Sequence, residues 1–79
     1  MDPLHSLIRK SLNQKPIGYS NNFEWYITEV GIAALLKDRN VNISSLSPIK
    51  EALELNLDLS KEENQLISLD EKQILLFYS

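Results

Sequence analysis

The first apolar residues of the chain recur at the spacing of an α-helix. They are Leu4, Leu7, Ile8 and Leu12. A single apolar stripe bordered by polar residues is typical of a helix that packs one side against a core. Asp2-Pro3 comes before the stripe, and these residue types cap and begin helices. We therefore expect a first helix over residues 3–13, with Asp2 as its cap.

Two later segments carry similar signals at their starts. Thr28 and Glu29 are favoured at the cap and first turn of a helix, and the residues from Val30 to Lys37 are mostly helix formers. We expect a second helix there, in which Gly31 costs about 1 kcal/mol relative to alanine and so indicates a close contact. Ser47-Pro48 repeats the pattern of a cap followed by proline and predicts a third helix over residues 48–56.

Three other segments have the patterns of strands. Phe23, Trp25 and Ile27 alternate with Glu24 and Tyr26, which predicts a short strand over residues 24–27 with Trp25 in the core. Residues 64–69 and 73–78 are rich in apolar strand formers and predict two more strands. Residues 70–72 would form the loop of their hairpin, without the glycine that tight turns favour.

The predicted order is therefore helix, strand, helix, helix, strand, strand. This order predicts an α+β winged helix, in which three helices pack on a small three-stranded antiparallel sheet and the C-terminal hairpin is the wing. A length of 79 residues is typical of one domain, so we expect residues 1–79 to form a single unit. The hydrophobic fraction of 43% is ordinary for a globular protein.

The composition of the chain argues against several classes of function, including metal binding and catalysis. The chain has no cysteine and a single histidine, His5, and no carboxylates have the spacing of a metal site. We expect no catalytic residues, no metal and no cofactor. No apolar run reaches the roughly 18–20 residues of a membrane span, and charged residues interrupt residues 1–12, unlike a signal peptide. These observations favour a soluble cytoplasmic or nuclear protein that is not secreted and does not contact membranes.

The net charge of −3 is unevenly distributed along the chain. Residues 1–50 have a balance of +2, and residues 51–79 have a balance of −5. The basic residues of the first part are a candidate nucleic-acid surface, because they would neutralise phosphates. They are Arg9, Lys10, Lys15, Lys37 and Arg39. The alternative is that they are solvated surface charges.

The acidic part is a candidate surface for docking another protein. Its carboxylates lie on the predicted third helix and on the connection to the wing. They are Glu51, Glu54, Asp58 and Glu62. Here too the alternative is a solvated face. Because Glu51 and Glu54 would repel phosphates, we do not expect the third helix to enter a DNA major groove.

Short motifs along nearly the whole chain resemble one known family. Ile17-Gly18, Glu24-Trp25, Val41-Asn42-Ile43-Ser44 and the segment from Leu66 to Ile74 are similar to the N-terminal winged-helix lobe of RNA 2′-phosphotransferases. The La motif, another RNA-associated winged helix, is similar over residues 24–75. The resemblance implies a winged-helix fold and a role on RNA.

The sequence departs from this family where the family has its catalytic residues. At the end of the first helix the family has Leu-Arg-His, whereas this chain has Leu12-Asn13-Gln14. Asparagine and glutamine supply neither a fixed positive charge nor a titrating imidazole. The wing lacks the family's glycine, and the sequence stops at Ser79, where the family's NAD-binding lobe would begin.

We therefore expect a non-catalytic module that binds nucleic acid, RNA rather than DNA. The alternative is a protein-interaction module, an adaptor or inhibitor, that docks through its acidic side. A monomer or a weak dimer is expected in either case, because exposed strands of the wing can pair with another copy.

Overall fold

A computed structural model describes residues 3–78, which form two α-helices, one 3-10 turn and five strands. In chain order they are α1 (Pro3–Leu12), β1 (Gly18–Tyr19), β2 (Phe23–Thr28), β3 (Gly31–Leu36), the 3-10 turn (Ile43–Ser45), α2 (Pro48–Glu54), β4 (Asn64–Leu69) and β5 (Lys72–Tyr78).

The five strands form one antiparallel sheet in the order β1-β2-β3-β5-β4. The last strand, β5, lies between β3 and β4, so it joins the N-terminal meander to the C-terminal hairpin. The predicted winged helix is therefore wrong. The described chain has two α-helices rather than three, and a five-stranded sheet rather than a three-stranded one.

The main error lies in the predicted second helix, since Gly31–Leu36 forms the central strand β3. The two-residue edge strand β1 was also not predicted. Its sequence is apolar throughout, and Ile32, Ala34 and Leu36 face one side of the sheet while Ala33 and Leu35 face the other. A strand covered on both faces has a continuous apolar run instead of alternation. Such a run cannot be distinguished from a buried helix by its periodicity alone.

The signals that predict a helix start at Thr28 belong to the turn between β2 and β3. The Thr28 hydroxyl accepts a hydrogen bond from the Val30 backbone at 3.1 Å and donates one to the Gly31 carbonyl at 2.7 Å. Gly31 has a φ of +145°, and a Cβ there would lie 1.8 Å from the Phe77 carbonyl oxygen. The close contact expected at Gly31 is confirmed, although it is with β5 across the sheet.

Each face of the sheet is covered by one helix and has its own core. The α1 helix places Ile8 against Tyr26 and β-sheet residues that include Ile74 and Leu76. On the opposite face, α2 and the segments around it cover Trp25, which is fully buried as predicted.

The aromatic rings of this second core lie close together. The Trp25 ring lies 5.7 Å from the Phe23 ring and 6.3 Å from the Phe77 ring, centroid to centroid. The three rings belong to β2 and β5, on either side of β3. Aromatic packing therefore spans the central strand on this face.

The other predicted elements are confirmed to within a few residues. The first and third predicted helices are α1 and α2, and the strands predicted over 24–27, 64–69 and 73–78 are β2, β4 and β5. Asp2, the predicted cap, lies outside the described residues. Neither helix of residues 3–78 is long and apolar enough to cross a membrane.

The hairpin of β4 and β5 turns through two residues rather than the three predicted. Asp70 and Glu71 both have positive φ, at 50° and 64°, as in a type I′ turn. Neither is the glycine that this conformation favours. Each carboxylate forms an ion pair with an arginine from another part of the chain, Asp70 with Arg9 in α1 and Glu71 with Arg39 in the turn after β3.

We predict that Gly31→Ala destabilises the domain by more than about 1 kcal/mol, because the new Cβ would collide with the backbone of β5. Gly18→Ala is the matched control, since its Cβ would meet only the end of the Leu55 side chain, at 3.1 Å. Urea unfolding of both variants measures the difference. Equal stability of the two variants would contradict the close packing of β3 on β5.

We predict that Glu71→Gly is more stable than Glu71→Ala by roughly 1 kcal/mol. Both substitutions remove the exposed ion pair with Arg39, and such pairs contribute little. Only glycine relieves the positive φ at this position. Thermal unfolding of the two variants tests the turn, and an alanine variant as stable as the glycine variant would argue against the type I′ conformation.

Candidate functional site

The first residue of the predicted nucleic-acid surface, Arg9, is engaged within the chain. Its Nε and Nη2 atoms donate to Asp70 Oδ2 and Oδ1 at 3.1 and 3.2 Å. This bidentate contact links α1 to the turn between β4 and β5. The hydrogen bond with Arg9 lowers the pKa of Asp70 and raises that of Arg9, so both groups are charged at neutral pH.

Three other basic residues of that surface also have partners. Lys10 lies 3.8 Å from Glu29, and Arg39 lies 3.0 Å from Glu71. Lys37 donates to the Ser20 carbonyl at 2.6 Å. Its Nζ also lies 5.9 Å from the centre of the Tyr19 ring.

The fifth residue, Lys15, is exposed in the loop after α1 and has no ion pair within residues 3–78. The helix end predicted to hold Lys37 and Arg39 does not exist, because these residues follow the strand β3. The five cations therefore do not form one basic patch of side chains without partners.

A cleft of about 370 Å³ does bring two of the five cations together. Lys37 and Arg39 line it with Lys72, beside Glu24 and Asp70. The cleft forms because the end of β3 lies next to the start of β5. Its three cations and two carboxylates give a net charge of +1. Sequence reasoning missed Lys72 and Glu24, since only the pairing of distant strands places them beside Lys37.

Tyr26 contributes a neutral donor beside this cleft. Its hydroxyl donates to the Glu24 carboxylate at 2.8 Å. Burial, together with this hydrogen bond, raises the pKa of Tyr26 to about 12. The phenol therefore stays protonated at neutral pH and adds no charge.

The first residue of the predicted protein-docking surface, Glu51, is buried and structural. Its carboxylate accepts hydrogen bonds from the Ser20 hydroxyl at 2.8 Å and from the Asn22 backbone and side chain at 2.8 and 3.0 Å. The Ser20 hydroxyl in turn accepts from the Trp25 indole at 2.9 Å. Glu51 therefore joins α2 to the turn between β1 and β2 and is not available to a partner.

The pKa of Glu51 reflects two opposing effects. Burial raises it, but the hydrogen bonds from Asn22 and Ser20, with the attraction of Lys37, bring it below its ordinary value of 4.5. A carboxyl whose pKa is lower in the folded state stabilises the fold above its ordinary pKa. That contribution is lost as the pH falls through the lowered value.

The other three predicted docking residues lie together in sequence at the end of α2 and beyond it. Glu54 and Asp58 are exposed, and Glu62 is half-buried. Asp58 accepts from the Ser60 side chain and backbone at 2.8 and 3.2 Å, which lowers its pKa. Glu62 Oε2 is buried without a hydrogen-bonding partner in the described chain. None of the three has an ion pair among the described residues.

No three side chains of histidine, aspartate or glutamate in residues 3–78 lie where they could share a metal ion. The predicted absence of catalytic residues stays a prediction.

We predict that Glu51→Gln destabilises the domain at neutral pH by about 1–3 kcal/mol, because one buried donor loses its acceptor. The difference from the wild type should shrink as the pH falls below 4.5 and the wild-type carboxyl becomes protonated. Urea unfolding at several pH values measures it. Glu54→Gln, an exposed change in the same helix, serves as the control and should have little effect. A pH-independent loss for Glu51→Gln would contradict the proposed hydrogen-bonded carboxylate.

Comparison with known proteins identifies one family. No curated protein and no solved structure matches the chain. The resemblance to RNA 2′-phosphotransferases therefore stays a prediction from short motifs, and the winged-helix fold that it implies is not the fold observed. Residues 6–79 match a family described as a domain of unknown function, DUF8674. Because this match covers nearly the whole chain, the protein belongs to the DUF8674 family.

Proposed function

We propose that this domain is a non-catalytic protein-interaction module that binds a basic partner through an acidic surface. The acidic surface consists of Glu54, Asp58 and Glu62, which follow one another from the end of α2 toward β4, together with the exposed Leu53 that precedes Glu54 in α2. One observation carries the proposal: these carboxylates have no ion pairs within the described chain, whereas three of the five candidate nucleic-acid cations have ion pairs and a fourth, Lys37, donates to a backbone carbonyl.

The charges of the acidic surface suit recognition between proteins. Asp58 is ionised at neutral pH, and the hydrogen bonds from Ser60 lower its pKa further below the ordinary value of 3.8. Unpaired exposed carboxylates attract a basic partner and orient it during the encounter. Four of the five predicted cations, all except Lys15, would have to exchange an internal contact for each phosphate they bound.

Leu53 adds an apolar contact to the acidic surface. It lies next to Glu54 in α2, and 53% of its surface is exposed. Protein interfaces commonly have an apolar centre within a polar rim.

Nucleic-acid binding is the second candidate function, and the cleft of Lys37, Arg39 and Lys72 is the observation that favours it. Three cations around one cleft can contact successive phosphates. Glu24 and Asp70 in the same cleft oppose this binding. The preference for RNA over DNA rests on the family resemblance alone, so this function ranks below protein interaction.

The test is an NMR titration of the labelled domain with three probes: a lysine-rich peptide, a glutamate-rich peptide of equal length, and single-stranded RNA. We expect saturable shifts at Leu53, Glu54 and Asp58 with the lysine-rich peptide alone, weakening as salt rises. Glu54→Lys combined with Asp58→Lys should weaken binding about tenfold, the equivalent of 1.4 kcal/mol.

Glu29→Lys is the charge-reversal control, since Glu29 is exposed on another part of the molecule, opposite Lys10. It should leave binding of the lysine-rich peptide nearly unchanged. Saturable shifts at Lys37, Arg39 and Lys72 with RNA would instead establish the second candidate. Equal binding of the two peptides, or no binding of the lysine-rich one, would overturn the proposal.

A further inference from the structure

The two edges of the sheet differ in how well they are protected against pairing. One edge is β1, which has only two residues and closely follows Pro16. The other is β4, which has six residues, and none of them is charged or proline. Sheet edges are commonly protected by short strands, charges or proline. Of these two edges, only β4 lacks all three protections.

The backbone groups that β4 presents to solvent follow from its pairing with β5. The Tyr78 backbone donates to the Glu63 carbonyl, and the two-residue turn makes Leu69 and Lys72 a hydrogen-bonded pair. Alternate residues of β4 therefore bond to β5. Asn64, Leu66 and Ser68 lie between them, so their N–H and C=O groups point away from the sheet.

We propose that a second copy of this chain pairs with β4 in the antiparallel direction, with Leu66 opposite Leu66 of the second copy. The three outward residues of each strand would then form six backbone hydrogen bonds across the junction, two for each hydrogen-bonded pair. Two five-stranded sheets would join into one continuous sheet of ten strands.

The side chains of β4 are self-complementary in this register. Leu66, which is 52% exposed, would be covered by the same residue of the second copy. Asn64 would lie opposite Ser68, so a polar side chain meets a polar one at both ends. Directly opposed residues are the pairs that contribute most to sheet stability.

The charges at the two ends of β4 favour a second copy over an unrelated strand. The segment before β4 has a net charge of −2, from Asp58, Lys61, Glu62 and Glu63. The turn after β4 and its paired arginines have a net charge of +1, from Asp70, Glu71, Lys72, Arg9 and Arg39. Antiparallel pairing places the acidic end of each copy beside the basic end of the other.

The assembly closes at two copies, because both use the same edge and only the short β1 edges remain outside. The two-fold axis would run perpendicular to the sheet, so both α2 helices lie on the same side. Leu53 and Glu54 of the two helices would then be presented on one side of the joined sheet, and a partner that contacts both copies would gain avidity. The dimer goes beyond the proposed function and does not rest on it.

The test uses sedimentation of the full chain over a concentration series that reaches the millimolar range. We expect a shift from 9.1 kDa to twice that mass as the concentration rises. Leu66→Lys and Leu66→Glu should each remain monomeric, because like charges would oppose one another across the axis. An equimolar mixture of the two variants should dimerise again, since lysine then lies opposite glutamate.

Leu53→Lys is the matched control, because Leu53 and Leu66 are equally exposed but Leu53 lies on α2. It should dimerise like the wild type. Leu66→Pro removes only an outward N–H and should be a folded monomer by circular dichroism. A wild-type chain that stays monomeric at millimolar concentration, or a Leu66→Lys variant that dimerises as the wild type does, would overturn the proposal. So would a mixture of the charged variants that stays monomeric.

Discussion

The pairing of β5 with β3 joins the two halves of the chain into one sheet. Without it, β1, β2 and β3 would form a meander, and β4 and β5 a separate hairpin with too little apolar surface to stand alone. The pairing makes β3 a central strand, so both of its faces must be covered, one by α1 and the other by α2. It also requires a residue without a Cβ at Gly31, where the β5 backbone passes within contact distance.

The same pairing distributes the charges of the surface. It brings the end of β3 to the turn between β4 and β5, where Arg39 meets Glu71 and the packing of α1 brings Arg9 to Asp70. Arg9 and Arg39 are thereby paired with acidic residues that follow them by more than thirty positions in the sequence. The carboxylates at the end of α2 receive no such ion-pair partners within residues 3–78, and the proposed preference for a basic protein over a phosphate backbone rests on this difference.

The position of β5 also decides which strand is left outside. Because the last strand of the chain lies inside the sheet, β4 becomes the edge, and its uncharged sequence is not protected as edges commonly are. Pairing through β4 would leave Glu54, on α2, away from the junction, whereas the segment with Asp58 and Glu62 would lie beside the basic end of the second copy. A paired module would present Leu53 and Glu54 of both copies on one side of the joined sheet.

The sequence by itself determined the elements whose signals are local. The apolar stripe of α1, the Ser47-Pro48 start of α2 and the patterns of β2, β4 and β5 each lie within one segment, and the structure has all of them. The sequence could not determine β3, because residues such as Thr28 and Gly31 are found both in the turn between two strands and at the start of a helix. Only tertiary structure, which buries both faces of that apolar run, made it a strand. Tertiary structure alone also made Glu51 a buried acceptor while Glu54, in the same helix, stays exposed, because contacts with Ser20 and Asn22 join segments some thirty residues apart.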